Sequence, residues 1–414
     1  MGTERKRRIL VIAPKSYPCD HSFLENVFAE SFPRLGVEVF FVLNGRTFRL
    51  PWRKELWKGN VVFIRPAFIR ERGMGRWFQS VVARMNVLVI PLILWRVKPD
   101  FVFVRTEVFT CLAVIALSTL LRRKGRIFYH YNWPLYEKEY QELLKGRGLR
   151  RLFKKTESFL QRRLLNLVFR KADRIYSISP LMRQKLINEG RVEAGRISSL
   201  PLAASEVHDL EQKRREWRNS IRKACGLDDR FVAIYIGSLL GIREASLFLE
   251  IAAQAMALIG DAFHLLIVGA DMETQRASWT AEAFQRNLSK VVTVVTRIPR
   301  ERVPQWLCAA DVGLSPIPPT AYFEISSPTK IYEYMAVGCP FVSSRIPEVL
   351  GILKKAEAGL LSDHSAADYA LALKTLYENE SLRDRCSREG LRFTKDIHNY
   401  KILSSTFLEQ IAGR

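Results

Sequence analysis

Ser326-Ser327-Pro328-Thr329-Lys330-Ile331-Tyr332-Glu333-Tyr334-Met335-Ala336-Val337-Gly338-Cys339-Pro340-Phe341-Val342-Ser343 passes from a polar loop into a helical pattern and out into an apolar run. The helix opens around Thr329, a carboxylate follows one turn in, and Gly338-x-Pro340 ends it before a strand. A loop that delivers a helix N-terminus in this way offers backbone amides and the positive end of the helix dipole, a setting suited to phosphate. Glu333 is placed to accept hydrogen bonds from two hydroxyls of a ribose, which a carboxylate does more strongly than a neutral group.

Working outward, short β-branched or apolar runs alternate with longer helical patterns, the mark of parallel sheets built from βαβ units. The runs in the first half are 9–13, 37–42, 61–64, 101–104, 126–129 and 174–178. A second series restarts at 231–236 and continues through 264–268, 291–295, 312–315 and 340–343. Between them lies the charged, glycine-poor stretch 205–230, so the boundary is placed near residue 202. The expected architecture is α/β, two doubly wound Rossmann-like domains over 1–202 and 203–390 facing a central cleft. A C-terminal helical segment, 391–414, is expected to pack back on the first domain. Ligands of such sheets bind at the carboxyl ends of the strands.

The 414 residues are 48% hydrophobic and 26% charged, which excludes disordered, collagen-like and disulfide-knot classes. The six cysteines, Cys19, Cys111, Cys225, Cys308, Cys339 and Cys386, show neither paired spacing nor histidines at ligand distance, as expected for a reducing cytoplasm. The basic start at Arg5-Lys6-Arg7-Arg8 precedes an apolar run of only five residues, read as a first strand and not a signal segment. The longest apolar runs, 87–95 and 108–121, fall short of the ~20 residues that span a bilayer.

Charge is the unusual quantity. Residues 1–200 hold 39 Lys/Arg against 16 Asp/Glu, the whole of the chain's net +23. Within 46–76, nine basic residues are interleaved with Phe48, Trp52, Trp57 and Phe68. Within 145–171, ten basic residues face Glu157 alone, while Leu149, Leu152, Phe153, Leu160 and Leu164 recur at helical spacing. Apolar side chains entering the headgroup boundary, with cations each adding about 1 kcal/mol at an anionic surface, make an interfacial membrane binder. Trp52, Trp57, Arg150, Arg151, Lys154 and Lys155 are the candidate membrane or acceptor contacts. The alternative is a helix packed on its own sheet with solvated cations. No nucleic-acid module signature occurs.

The stretch at 326–343 resembles the nucleotide-sugar loop of retaining GT-B glycosyltransferases of the group-1 type (family 4), where S-P-x-K-[LI]-[YF]-E-Y-M-A-x-G-x-P recurs. The likeness continues through His130-Tyr131-Asn132-Trp133-Pro134, similar to H-x-x-W-P, and through the strand Lys171 to Ser179. It extends to Gly237-Ser238-Leu239 with Arg243, similar to a phosphate loop, then to Val268-Gly269 and to Ala310 through Pro316.

The resemblance implies transfer of a sugar from a nucleotide diphosphate sugar with retained anomeric configuration. Charge develops on the leaving diphosphate, so cations and amides are needed there. No D-x-D triplet occurs, consistent with metal independence, and neither a metal nor a cofactor is expected. Arg243 is the candidate diphosphate cation with Lys330 as a second, Gly237 admits the phosphates, and Glu333 holds the ribose. His130 is expected near the reacting centre, where a neutral imidazole hydrogen-bonds a sugar hydroxyl.

Two departures stand out. The family's paired glutamates are spaced E-x7-E, and eight residues before Glu333 lies Ile325. Either a bulge brings in Glu324, or Ser326, Ser327 and backbone amides serve the sugar instead. The first loop, 14–22, lacks glycine. Its Asp20 and His21 are candidates to receive the acceptor's proton, or they belong to a helix-capping turn.

These readings lead to a peripheral enzyme on the inner face of the cell membrane, with a neutral domain for the nucleotide sugar and a basic one for a lipid-linked or glycan acceptor. A catalytically degenerate membrane-docked scaffold and a nucleotide-sugar epimerase of the same fold are the alternatives.

Overall fold

The computed structural model describes residues 5–46, 52–66, 86–122, 125–132, 149–237 and 245–413, with the side chains of 86, 88, 149–157, 245 and 322 set aside. The chain forms two units, 1–202 together with 400–414, and 203–399. Residue 391, the expected start of the last segment, falls inside the helix Glu380–Asp396. The returning segment is the helix Tyr400–Ala412.

The first unit is built on an eight-stranded sheet: β1 (Arg8–Ser16), β2 (Glu38–Asn44), β3 (Arg53–Trp57), β4 (Asn60–Arg65), β5 (Phe101–Arg105), β6 (Arg126–Tyr131), β7 (Arg174–Ser177) and β8 (Ile197–Ser199). Their order is β3-β4-β2-β1-β5-β6-β7-β8. All pairings are parallel except the β3–β4 hairpin. The chain builds outward from β1 to one side and then returns to start β5 on the other. The order therefore reverses between β1 and β5, whose carboxyl ends carry Lys15 and Arg105.

Strands buried on both faces read as continuous apolar runs, and Phe101–Arg105 is buried at every position. The core over this sheet is aromatic: Phe407, from the C-terminal helix, lies 5.9 Å from Phe28, 5.6 Å from Phe103 and 4.9 Å from Tyr176, between ring centres. Tyr400 Oη donates to Ser22 Oγ at 3.0 Å, and Arg126 donates to the carbonyl of Ile411. The helix Tyr400–Ala412 is thus a core element of the first unit.

The helix Leu149–Lys171 buries Leu165, Val168 and Phe169, at i, i+3 and i+4, while Phe159, Leu160 and Leu167 stay exposed. It packs beside Val108–Leu120, which packs beside Ile90–Val97. Both neighbours add exposed apolar side chains: Leu92, Trp95, Phe109 and Leu120. Among the described residues no helix is long and apolar enough to cross a membrane.

Trp57 corrects the sequence reading. The segment read as a basic loop pairs as β3, and Trp57 is buried edge-on against Phe41, with ring centres 5.2 Å apart. It is a core residue, not a surface anchor. Trp52, just before β3, is half-buried.

The second unit holds β9 (Phe231–Ile236), β10 (Phe263–Ala270), β11 (Val292–Thr296), β12 (Val312–Ser315), β13 (Phe341–Ser344) and β14 (Gly359–Ser362). All are parallel, in the order β11-β10-β9-β12-β13-β14. Here the order reverses between β9 and β12. Asp311, entering β12, accepts from Arg218 at 2.5 Å, from Arg222 at 2.6 Å and from the Val232 amide at 2.7 Å. This network fixes the start of β12 against β9.

Candidate active site

The site of the second unit grows from the helix Thr329–Ala336. Its inward face is Ile331, Tyr332, Tyr334 and Met335, all buried. Tyr334 Oη donates to the Leu314 carbonyl at 2.8 Å, and its ring lies where a side chain on Gly313 would have to be, 2.5 Å from that Cβ position. The helix is thereby seated on β12 beside the reversal point. Gly338, at φ +65°, ends it, with the Cys339 amide donating to the Tyr334 carbonyl at 2.9 Å.

With that face fixed, Lys330 and Glu333, three residues apart, share the other face. No side chain caps the helix start. Lys330 Nζ stands 5.3 Å from the centre of the Tyr235 ring. A Cβ on Gly237 would lie 2.6 Å from Lys330 Cε and 2.7 Å from Nζ. Gly237 (φ +144°) and Gly269 (φ +131°) follow β9 and β10, and a Cβ on Gly269 would press on the Gly237 carbonyl. The Gly237 amide donates to Val268 O at 2.9 Å. The two strand ends thus close on each other with no room for a side chain.

Burial pushes the Glu333 carboxyl above its usual range, and the Arg300 and Lys330 cations pull it back. Arg300, beyond β11, belongs to no motif, so the sequence reading missed it. Ser326 Oγ donates to Phe323 O at 2.7 Å, Ser327 is buried, and Glu324 ends the short helix Ala321–Glu324, half-buried. Arg243 lies outside the described residues.

Residues 230–379 match the family model described as Glycosyl transferases group 1. This stretch is a group-1 glycosyltransferase domain. The chain is also similar to the D-inositol 3-phosphate glycosyltransferase of Nocardioides sp. (strain ATCC BAA-499 / JS614), 23% identical over 234 residues, which is 53% of this chain and 49% of that protein. The match thus spans about half the length of that curated relative.

In fold, the chain is similar to the sucrose-phosphate synthase of Thermosynechococcus elongatus, with a TM-score of 0.70, 15% identity, and 99% of each chain covered. It is also similar to Anabaena HepE solved with UDP and glucose, with a TM-score of 0.66, 14% identity, and 99% of this chain and all of that one covered. Both units are Rossmann-like, as in these GT-B neighbours.

The group-1 domain brings Gly237, Lys330 and Glu333 to the carboxyl ends of its strands. The first unit's candidates are placed differently. His130 does not follow β6 but lies inside it, fully buried, with ring centres 5.2 Å from Phe23 and 5.5 Å from Phe103. Burial and the Arg105 cation hold its pKa well below the ordinary histidine value, so it is neutral. Asp20 is exposed and His21 half-buried, ahead of the helical stretch Leu24–Ser31. Arg150, Arg151, Lys154 and Lys155 lie on the helix Leu149–Lys171, their side chains outside the described set. Among the described residues no cluster of three His, Cys, Asp or Glu stands ready for a metal ion.

Proposed function

We propose that the chain transfers a sugar from a nucleoside diphosphate sugar, with retention of configuration, to a lipid-linked or cell-surface glycan acceptor at the cytoplasmic face of the membrane. One observation carries the donor half: Lys330 against Gly237, with Glu333 one turn on, at the strand-order reversal of the second sheet. Doubly wound sheets bind nucleotides at that point.

Each group has a task there. The glycine backbone admits the diphosphate closely, the uncapped helix start offers amides to it, and the Lys330 ammonium offsets the charge that grows as the bond to the sugar breaks. Glu333 holds the ribose hydroxyls as a carboxylate. Arg243, by resemblance, supplies the second cation. A neutral His130 is suited to donate to, or accept from, a sugar hydroxyl without carrying charge.

The acceptor half is supported by the first unit's surface. Leu92, Trp95, Phe109, Leu120, Phe159 and Leu160 are exposed on three helices packed side by side, which also expose Arg96, Arg162, Arg163 and Arg170. Apolar side chains among cations match an anionic bilayer surface.

Calorimetric titration with a panel of nucleoside diphosphates, followed by transfer from the matching radiolabelled sugar donor to membrane extract, tests the reading. Glu333→Gln should weaken nucleotide binding at least tenfold and reduce transfer further. Since the carboxyl titrates above its usual range, wild-type affinity should fall on acidification at a higher pH than an ordinary carboxylate allows. The variant should lose that step. Undiminished binding by Glu333→Gln would remove the ribose assignment. Tight nucleotide binding without turnover of any donor would favour the degenerate scaffold, which the missing first glutamate and the glycine-free first loop also suggest.

A further inference from the structure

Three arginines are buried in the described residues: Arg65, Arg105 and Arg222. Arg65 meets Glu107, its Nη1 at 2.8 Å from Oε2, and Arg222 meets Asp311 at 2.6 Å. Arg105 is 2% exposed and meets no carboxylate among the described residues. With the Asn132 amide oriented so that its oxygen faces the guanidinium, Oδ1 accepts from Nη2 at 2.7 Å and from Nε at 3.0 Å, while the Asn132 nitrogen faces Thr106 Oγ1. Among the described residues Nη1 has no hydrogen-bond partner, and the guanidinium carbon lies 5.0 Å from the centre of the Phe23 ring; His130, which the Leu200 backbone meets, sits opposite Arg105 in the β5–β6 register.

An unpaired buried cation is costly, and a buried donor without a partner adds to that cost. The burden is visible in the acid–base behaviour. Burial lowers the Arg105 pKa to about 10. The half-buried Lys15 ammonium is also depressed, by burial and then by Arg105. Two cations that repel one another are thus held together where β1 and β5 end and the strand order reverses. Such strand ends are where doubly wound sheets take ligands. What neutralises both cations at once is an oxyanion, hydrogen-bonded to the guanidinium and to the ammonium.

We infer that Lys15 and Arg105 form a binding site in the first unit for a phosphate or carboxylate group carried by the acceptor. This rests on the proposed glycosyl transfer for the word acceptor, but the anion site stands on the first unit alone. It defines the acceptor as anionic close to the hydroxyl that is glycosylated, and it gives Arg105 the anionic partner that the described residues lack.

The test is thermal unfolding of the full chain with inorganic phosphate, against chloride at matched ionic strength. Binding to the native state alone raises the melting temperature, here by roughly 3 °C or more near saturation for a unit of this size. The second unit offers phosphate a site of its own, and Lys330→Gln removes that contribution. The rise should persist in Lys330→Gln and vanish in the double variant Lys330→Gln/Arg105→Met.

A merely structural Arg105 predicts no phosphate response in Lys330→Gln, which overturns the proposal. If Arg105→Met does not fold, Lys15→Gln, at the half-buried edge, should at least halve the response, and an unchanged response overturns the proposal. Glucose 6-phosphate and a short-chain phosphatidic acid then distinguish a soluble from a lipid-borne phosphate by which of them acts at lower concentration. A response to neither reduces the site to free inorganic anion and overturns the acceptor assignment. Calorimetry with nucleoside diphosphates is read separately. Anion response without nucleotide binding defeats the glycosyl-transfer reading alone, and nucleotide binding without anion response defeats the anion site alone.

Discussion

Gly237 and Gly269 both sit at positive φ, yet a methyl group at each meets a different obstacle. At Gly237 it meets the flexible end of Lys330, which swings aside at little cost to the fold. Gly237→Ala should therefore cost only the backbone strain of its positive φ, about 1–3 kcal/mol, and weaken nucleotide binding, because the ammonium is displaced. At Gly269 the methyl meets the Gly237 backbone, and the strand ends must part. Gly269→Ala should cost the same strain and, in addition, about 1–2 kcal/mol or more for the displaced backbone. Urea denaturation beside nucleotide titration separates the two, and equal stability losses would refute the distinction. Lys330 and Glu333 were legible because a helix, a glycine stop and a strand bracket them in sequence. Arg105 and Arg300 were not, since a lone arginine at a strand end has the same local pattern whether its partner is a carboxylate, a ligand or water.

All eleven strands read from apolar runs are present in the sheets, because a doubly buried parallel strand leaves an unbroken apolar stretch. The missed strands are β3, β8 and β14. β3 carries Arg53, Lys54 and Glu55 as an edge strand, where charge is tolerated and discourages further pairing. β8 and β14 have three and four residues, too short for a period to show. The helix Tyr400–Ala412 was legible as a helix, and its apolar face has a specific destination in the aromatic cluster of the first unit. Removing the Phe407 ring leaves a cavity among Phe28, Phe32, Phe103 and Tyr176. Phe407→Ala should cost about 3–5 kcal/mol, read by chemical denaturation as loss in the first unit. A cost below 1 kcal/mol would mean that the helix is not part of that core.

On the scale of the molecule, the charge step and the unit boundary fall within a few residues of each other: residues 1–200 carry the full +23, and the first unit's continuous part ends at Leu202. The proposed bilayer contact draws on this excess and on the exposed apolar side chains together. Charge reversal at Arg150, Arg151, Lys154 and Lys155 should release the protein from anionic vesicles in a flotation assay, with nucleotide affinity unchanged. Replacing Leu92 and Trp95 by serine should weaken the vesicle association that survives high salt, when long-range attraction is screened. Vesicle binding indifferent to both changes would place the contact elsewhere.

The second unit is, in connectivity, an insertion within the first. Its ends pair with each other, Ala204 with Asn399, in an isolated β-bridge, while Tyr400–Arg414 completes the other unit's core. Synthesis runs from the amino end, so the half that is made first is finished last. The basic unit must wait for Phe407, with an aromatic cavity open, until the whole nucleotide domain has left the ribosome. The aromatic core of the basic unit is therefore completed only on a molecule whose second unit has already been made.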